Sequence, residues 1–189
     1  SPWPHGILEE TSDATLEMSV GAYTVFGFDV SPSRRNGSLV AGQLLPDGRI
    51  GIGILETYSS QVAIDELKMA ASIKAWCDIY KPRLVCFDKY ATQTIADRLM
   101  NSGVVCEDVS GQQFYKACGD LLEGLVNHRV VHNGQAEFIQ QMNNCAAKVN
   151  DSAWRIIKRK SAGDISAPIG IAMAVSKLMI PQPKPQIYG

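Results

Sequence analysis

YTVFGFDV-SPSRRNG-SLVAGQLL-PDG-RIGIGILET, residues 23–57, sets the fold class. Tyr23–Val30 is apolar, aromatic and β-branched, the composition of a buried strand. Ser31–Gly37 holds the serine, proline and glycine of a turn, and a second strand is expected over Ser38–Leu45. Pro46-Asp47-Gly48 is a turn signal between two apolar runs, so Arg49–Thr57 becomes the third strand of an antiparallel meander.

Beyond Tyr58 the hydrophobic period changes. Val62, Met69, Ile73, Trp76 and Tyr80 fall at helical spacing, and Pro82 ends that helix. Arg83–Phe87 (RLVCF) predicts a short strand that ends on Asp88. Ala91, Ile95 and Leu99 mark a helix closed by Gly103, and Val104–Val109 is a fifth strand. Helices are expected near 111–126 and 135–147, a short strand over Trp154–Lys158, and a last helix over Ser166–Ile180. A meander followed by alternating helices and strands gives an α/β fold, a mixed sheet with helices on its faces.

The chain has 189 residues, enough for one ordinary domain. Residues 1–20 are irregular and acidic with two early prolines and are expected to form a linker or surface strap; 21–180 form the domain, and 181–189, with three prolines, a tail. A net charge of −1 argues against a module that coats duplex DNA, and leaves room for an acidic site with local basic patches. Five cysteines, an odd number with no C-x-x-C pair, give neither a disulfide framework nor a zinc ribbon and suit a reducing cytosol. No run of 18 apolar residues occurs, so no membrane partner is expected.

Three aspartates stand out. Asp29 lies near the end of an almost wholly apolar strand, where a charge must be paired, hydrogen-bonded or metal-bound, unless it simply begins the next turn. Asp88 ends the RLVCF run, and a cap on the following helix explains it nearly as well as a site at the strand's carboxyl edge does. Asp164 precedes the last helix; it is either that helix's cap or, if Ser166 caps with Pro168 in the first turn, free for other work. Three converging carboxylates repel one another until a hard dication removes the conflict, and aspartate-only ligation favours Mg²⁺ or Mn²⁺. Basic residues lie close in sequence to each acid: Arg34 and Arg35 after Asp29, Lys89 after Asp88, and Lys158-Arg159-Lys160 before Asp164. They are the candidate DNA-binding groups, as expected where a phosphate backbone crosses the site. His128 and His132 are spaced i, i+4 as in some zinc sites, without a glutamate between them or an obvious third ligand.

The ordered set Phe26-Gly27-Phe28-Asp29, Leu84-Val85-Cys86-Phe87-Asp88 and Gly163-Asp164-Ile165-Ser166-Ala167 resembles the RNase H-like nucleases. Within them it is most similar to the C-terminal nuclease domain of the large terminase subunit of tailed double-stranded DNA phages, over about residues 20–180. The resemblance implies an RNase H-like mixed sheet. It implies catalysis and metal binding by Asp29, Asp88 and Asp164, with two Mg²⁺ or Mn²⁺ ions about 3.5–4 Å apart activating water against a phosphodiester. Its implied partners are double-stranded DNA, an N-terminal packaging ATPase domain, a portal protein and a small terminase subunit. Its implied setting is the bacterial host cytoplasm, at the procapsid. No G-x-x-x-x-G-K-[ST] loop occurs in the sequence, so that ATPase is not represented here. Family members often carry a further acid near the third aspartate; the residue after Asp164 is Ile165, and Asp151 is a distant substitute. Two other readings are a resolvase-type nuclease for branched DNA and a docking module for portal or motor partners with an idle nuclease site.

Overall fold

Every residue of Thr24–Val30 (β1) is buried, because helices cover the sheet on both faces at this strand. The computed structural model describes residues 1–180; the expected tail, 181–189, lies outside the described residues. Asn36–Leu44 (β2) and Ile50–Ser59 (β3) complete the meander, with one register irregularity at Leu39/Val40. Glu66–Tyr80 (α2) leads to Leu84–Phe87 (β4), which joins β1 in parallel, Gly27 opposite Cys86. Lys89–Asn101 (α3) then leads to Cys106–Asp108 (β5), parallel to β4.

Helix Gln112–Val126 (α4) is followed by a strand the sequence reading did not contain, Val130–His132 (β6), which pairs in parallel with β3. The six-stranded order is β5-β4-β1-β2-β3-β6, the expected mixed sheet with one strand added. The next difference is larger. The helix expected over 135–147 stops early, at Ala136–Asn143 (α5), and Cys145–Asn150 (β7) instead forms a hairpin with Ala153–Lys158 (β8). Ser166–Leu178 (α6) closes the chain order and packs on β1, β2 and α4.

Strand alternation divides the core. Phe26, Phe28 and Val30 point to the side of α2 and α3, with Met69, Ile73, Ile95 and Leu99. Val25 points to the side of α6 and α4, with Ile171, Val175 and Leu121. Residues 27 and 29 share Val25's face. At Gly27 the backbones of β1 and α6 meet: a Cβ there would overlap the Gly170 carbonyl oxygen and approach its carbonyl carbon to 2.8 Å. A Cβ on Gly170 would in turn lie 2.9 Å from Val40 Cγ2.

The N-terminal segment is more than a surface strap. It contains a four-residue helix, Ile7–Glu10 (α1), and Trp3, Ile7 and Leu8 are buried in the α6-side core. The Trp3 indole donates to the Met142 carbonyl at 2.9 Å and meets Trp154 of β8 edge-on, ring centres 6.2 Å apart. Ser12 bridges to His132 in parallel, so this segment continues the sheet past β6. Among the described residues no helix is long and apolar enough to cross a membrane.

Because the Gly27 contact is backbone against backbone, no rotamer change can relieve a methyl there. Gly27→Ala is expected to cost at least about 3 kcal/mol, the high end of core overpacking. Urea unfolding checks this; a loss under about 1 kcal/mol would mean that β1 and α6 can separate without consequence.

Candidate active site

Asp29 is 5% exposed and lies one strand repeat beyond Gly27, on the α6 face. Its backbone partner across the sheet is Ser38. Burial raises its carboxyl well above the ordinary value of 3.8; the charge of Asp88 raises it further, a hydrogen bond from the Val30 backbone opposes, Asp164 raises it, and Arg34 opposes. Both other sequence-identified acids are thus close enough to act on Asp29 through space.

Asp88 arrives by register. Gly27 is level with Cys86 in the parallel β1–β4 pair, so two residues further on Asp29 is level with Asp88. Asp88 is also the N-cap of α3, its Oδ1 accepting the Tyr90 N–H at 2.9 Å. Burial is the first cause of its raised pKa; the Tyr90 hydrogen bond opposes, Asp108 adds like charge, and Arg155 and Lys89 attract. Capping thus occupies one oxygen of Asp88, which leaves the other open to a further role.

Asp164 is not freed by Ser166. Of the two open readings, the one at the helix start holds: Asp164 accepts the Ser166 N–H at 2.9 Å and the Ser166 hydroxyl at 2.7 Å, because α6 begins at Ser166 and the carboxylate two residues earlier reaches its first amide. The fully buried Ser38 hydroxyl donates to Ser166 Oγ at 2.8 Å. Gln141 donates to Ser38 Oγ at 3.4 Å and accepts the Ala167 N–H at 2.8 Å. This network ties the start of α6 to the strand beside Asp29.

Asp29 and Asp164 open together into a cleft of about 580 Å³, and the cations lining it are Arg35, Arg155 and Lys158. Of the other expected DNA contacts, Arg34 is occupied: its guanidinium donates to Glu66 at 2.7 Å and to the Ala91 carbonyl at 2.6 Å, binding the turn after β1 to α2 and α3. Lys89 lies over the Tyr90 ring, 5.1 Å from its centre. Arg159 and Lys160 are exposed beyond β8 and do not line the cleft. A depression of about 570 Å³ between β3 and α2 has a different character: its Glu56 is already taken up by Ser72 and the Trp76 indole.

Two site residues escaped the sequence reading. Asp108 ends β5 opposite Phe87, holds the Lys89 N–H at 2.9 Å and the Ser110 hydroxyl at 2.8 Å, and adds negative charge at Asp88. It is the second acid at the end of a parallel strand, and the run Val104–Val109 carried that signal. Arg155 sits inside an apolar strand, an anomaly of the same kind as Asp29. Asp151, the distant substitute for a fourth acid, is exposed in the β7–β8 turn with φ 53°. The zinc alternative is answered by His132, which is buried with Nε2 on the Leu8 carbonyl at 2.7 Å and Nδ1 accepting the Gly134 N–H at 3.0 Å. Both ring nitrogens serve the fold.

The donor set suits a hard dication: carboxylate oxygens, those of Asp29 buried against like charge. Among the described residues no three His, Cys, Asp or Glu side chains are yet drawn together tightly enough to share one ion. Asp88 and Asp164 each hold a backbone N–H at a helix start.

No family model matches the sequence, and no curated protein matches it. Solved structures do match the fold. The large terminase of bacteriophage HK97 aligns with a TM-score of 0.79 at 14% identity, over 93% of this chain and 43% of that one. The large terminase nuclease from thermophilic phage G20c aligns with a TM-score of 0.71 at 14% identity, over 90% of this chain and 96% of that one. The large terminase of another thermophilic bacteriophage gives 0.68 at 8% identity, over 89% of this chain and 42% of that one. The chain thus spans under half of the first and third of these proteins and nearly all of the G20c nuclease. The G20c nuclease has been solved with magnesium, cobalt and zinc bound. The fold is the RNase H-like mixed sheet of large terminase nucleases, as the sequence motifs implied.

A carboxyl whose folded pKa is raised favours folding fully below its unfolded value and loses that contribution as pH rises through the folded value. Asp29→Asn is therefore expected to raise the Tm of the chelator-treated protein at pH 8, about 2–4 °C for each kcal/mol relieved. The gain should vanish below about pH 4, where Asp29 is protonated in both states. Calorimetry across that range checks it; a destabilised variant at pH 8 would overturn the assigned repulsion.

Proposed function

We propose that this chain is a metal-dependent endonuclease that hydrolyses phosphodiester bonds of double-stranded DNA during phage genome packaging. The observation that carries the proposal is a buried Asp29, level with Asp88 in the parallel pair, sharing a cleft with Asp164 and feeling the charge of both. The fold match to large terminase nucleases supports it.

Asp29, Asp88 and Asp164 are the proposed ligands of two Mg²⁺ or Mn²⁺ ions. When bound, such ions supply an activated water and offset charge on the attacking and leaving oxygens. The protein does the remainder. Asp29 is fixed by the strand and the Gly27 contact, so its position costs no reordering during the reaction. Asp88 and Asp164 are held at helix starts, and the charge of each acts on Asp29. Arg35, Arg155 and Lys158 present positive charge along the cleft, suited to a phosphate backbone. Cations at the cleft suit the backbone and not base edges, so cutting is expected to have little sequence preference.

In this reading the chain works with a packaging ATPase domain of the same polypeptide, as the partial coverage of the two longer large terminases suggests. Portal and small-subunit contacts, and a place at the procapsid in the bacterial cytoplasm, follow from the same reading.

Asp29→Asn, Asp88→Asn and Asp164→Asn are each expected to lower Mn²⁺-dependent plasmid nicking at least about 100-fold while the circular dichroism of the folded protein persists. Near-wild-type cutting by any of the three removes that residue from the site. Preference for four-way junctions over linear duplex would move the substrate from packaged duplex to branched DNA.

A further inference from the structure

The β7–β8 hairpin carries an arrangement that the fold itself does not account for. Arg155 and Lys148 are directly opposite each other in the antiparallel pair, so their side chains share one face. Like charges at such positions disfavour the pairing. Neither side chain has an ion-pair or hydrogen-bond partner among the described residues, where five other cations of the chain are each matched to an acid within 3 Å or in an i, i+4 helical pair. Arg155 lines the cleft with Asp29 and Asp164, and Lys148, beside it on the hairpin, lies outside that lining. Arg155 is half-buried, whereas the other cations of that lining, Arg35 and Lys158, are exposed.

The strand that bears Arg155 is held firmly. Trp154, one residue before, packs on Trp3; Ile156, one residue after, is buried and its N–H donates to Cys118 Sγ at 3.3 Å. The Arg159 N–H donates to the Asn144 carbonyl at 2.7 Å and closes the hairpin's base. An unpaired guanidinium on a pinned strand, lining the same cleft as Asp29 and Asp164, suits a planar oxyanion that enters that cleft.

Resting on the nuclease reading for its substrate, we infer that the inner face of this hairpin is the phosphate grip of the cleft: Arg155 binds the backbone phosphate presented to Asp29 and Asp164, and Lys148 binds a neighbouring phosphate further out. The attraction of Arg155 for Asp88 fits this placement. Without DNA, Arg155 offsets part of the acids' mutual repulsion; with DNA, it is the cation already in position for the incoming phosphate.

The test has a binding arm that needs no cleavage. Affinity for a short DNA duplex is measured by fluorescence anisotropy with chelator present, over a range of salt. Arg155→Ala and Lys148→Ala are each expected to make the slope of log K against log salt shallower by about 0.9, the contribution of one phosphate contact. In Mn²⁺, single-turnover nicking should fall about 100-fold for Arg155→Ala and far less for Lys148→Ala, with Mn²⁺ affinity by calorimetry not weakened in either. Arg155→Lys should retain the slope and recover part of the rate, and Arg155→Gln should recover neither, which keeps the test valid if the alanine variant folds poorly. An unchanged salt slope in Arg155→Ala and Arg155→Gln overturns the grip. A wild-type protein that binds DNA with the expected slope but nicks none overturns the nuclease reading and leaves the grip standing.

Discussion

The backbone approach of Gly27 to Gly170 is the contact on which the rest of this structure depends. It sets α6 against the centre of the sheet with no side chain between them. From that point the two elements advance together. Two residues along the strand, about 6.6 Å, lead to Asp29. Four residues back along the helix, about 6 Å, lead to Ser166 and the Asp164 that holds it. The Ser38–Ser166 hydrogen bond, on the residue opposite Asp29, shows the two paths ending at one level. A larger residue at either glycine would move the helix out and draw Asp164 away from Asp29. The packing of the core and the geometry of the site are therefore one constraint.

The site also carries an electrostatic cost for the fold. Asp29 is buried on the α6 side, where Val25 and Cys86 are its strand-face neighbours, and two further acids act on it through space. The chain limits this cost locally. Asp88 and Asp108 each take a backbone N–H at the start of α3, and Asp164 takes one at the start of α6. Helix starts favour negative charge, so the elements that bring the acids in also stabilise them. Only Asp29 lacks such a helix, which makes it the residue with most to gain from a bound cation.

The meander, β4, α3 and α6 were legible in the sequence because their signals are local: alternation or helical spacing bounded by proline and glycine. The failures have physical reasons. Phe138, Met142 and Cys145 continue a helical spacing past Asn143, yet Cys145 belongs to β7, whose partner β8 cannot be seen within a local window. Val130–His132 is three residues long and is a strand only because β3 lies beside it. Trp3 and Leu8 sit in a polar, proline-bearing stretch that reads as a strap, and tertiary contacts alone bury them. The same limit governs the site. Asp29, Asp88 and Asp164 announce themselves as acids at element ends; Asp108 did so more faintly, after a weak strand. Arg34 reads as a free cation by its position in a turn, and only the fold reveals Glu66 as its partner.

A net charge of −1 counts on its face against a nucleic-acid surface, and the structure resolves the tension through pairing. Arg34, Arg49, Lys74, Lys116 and Lys177 are each matched to an acid, most of them away from the cleft. Arg83 lies over the Tyr23 ring instead. Arg35, Arg155 and Lys158 are left to line the cleft, with Lys148 across from Arg155 on the same hairpin face. At physiological salt, charges are screened over about 8 Å, so an approaching backbone senses these few groups and not the sum over the chain. A near-neutral protein can thus offer a polyanion a positive entrance while keeping carboxylates at its floor. That opposition of signs is what a site needs when its substrate and its metal ions carry opposite charge.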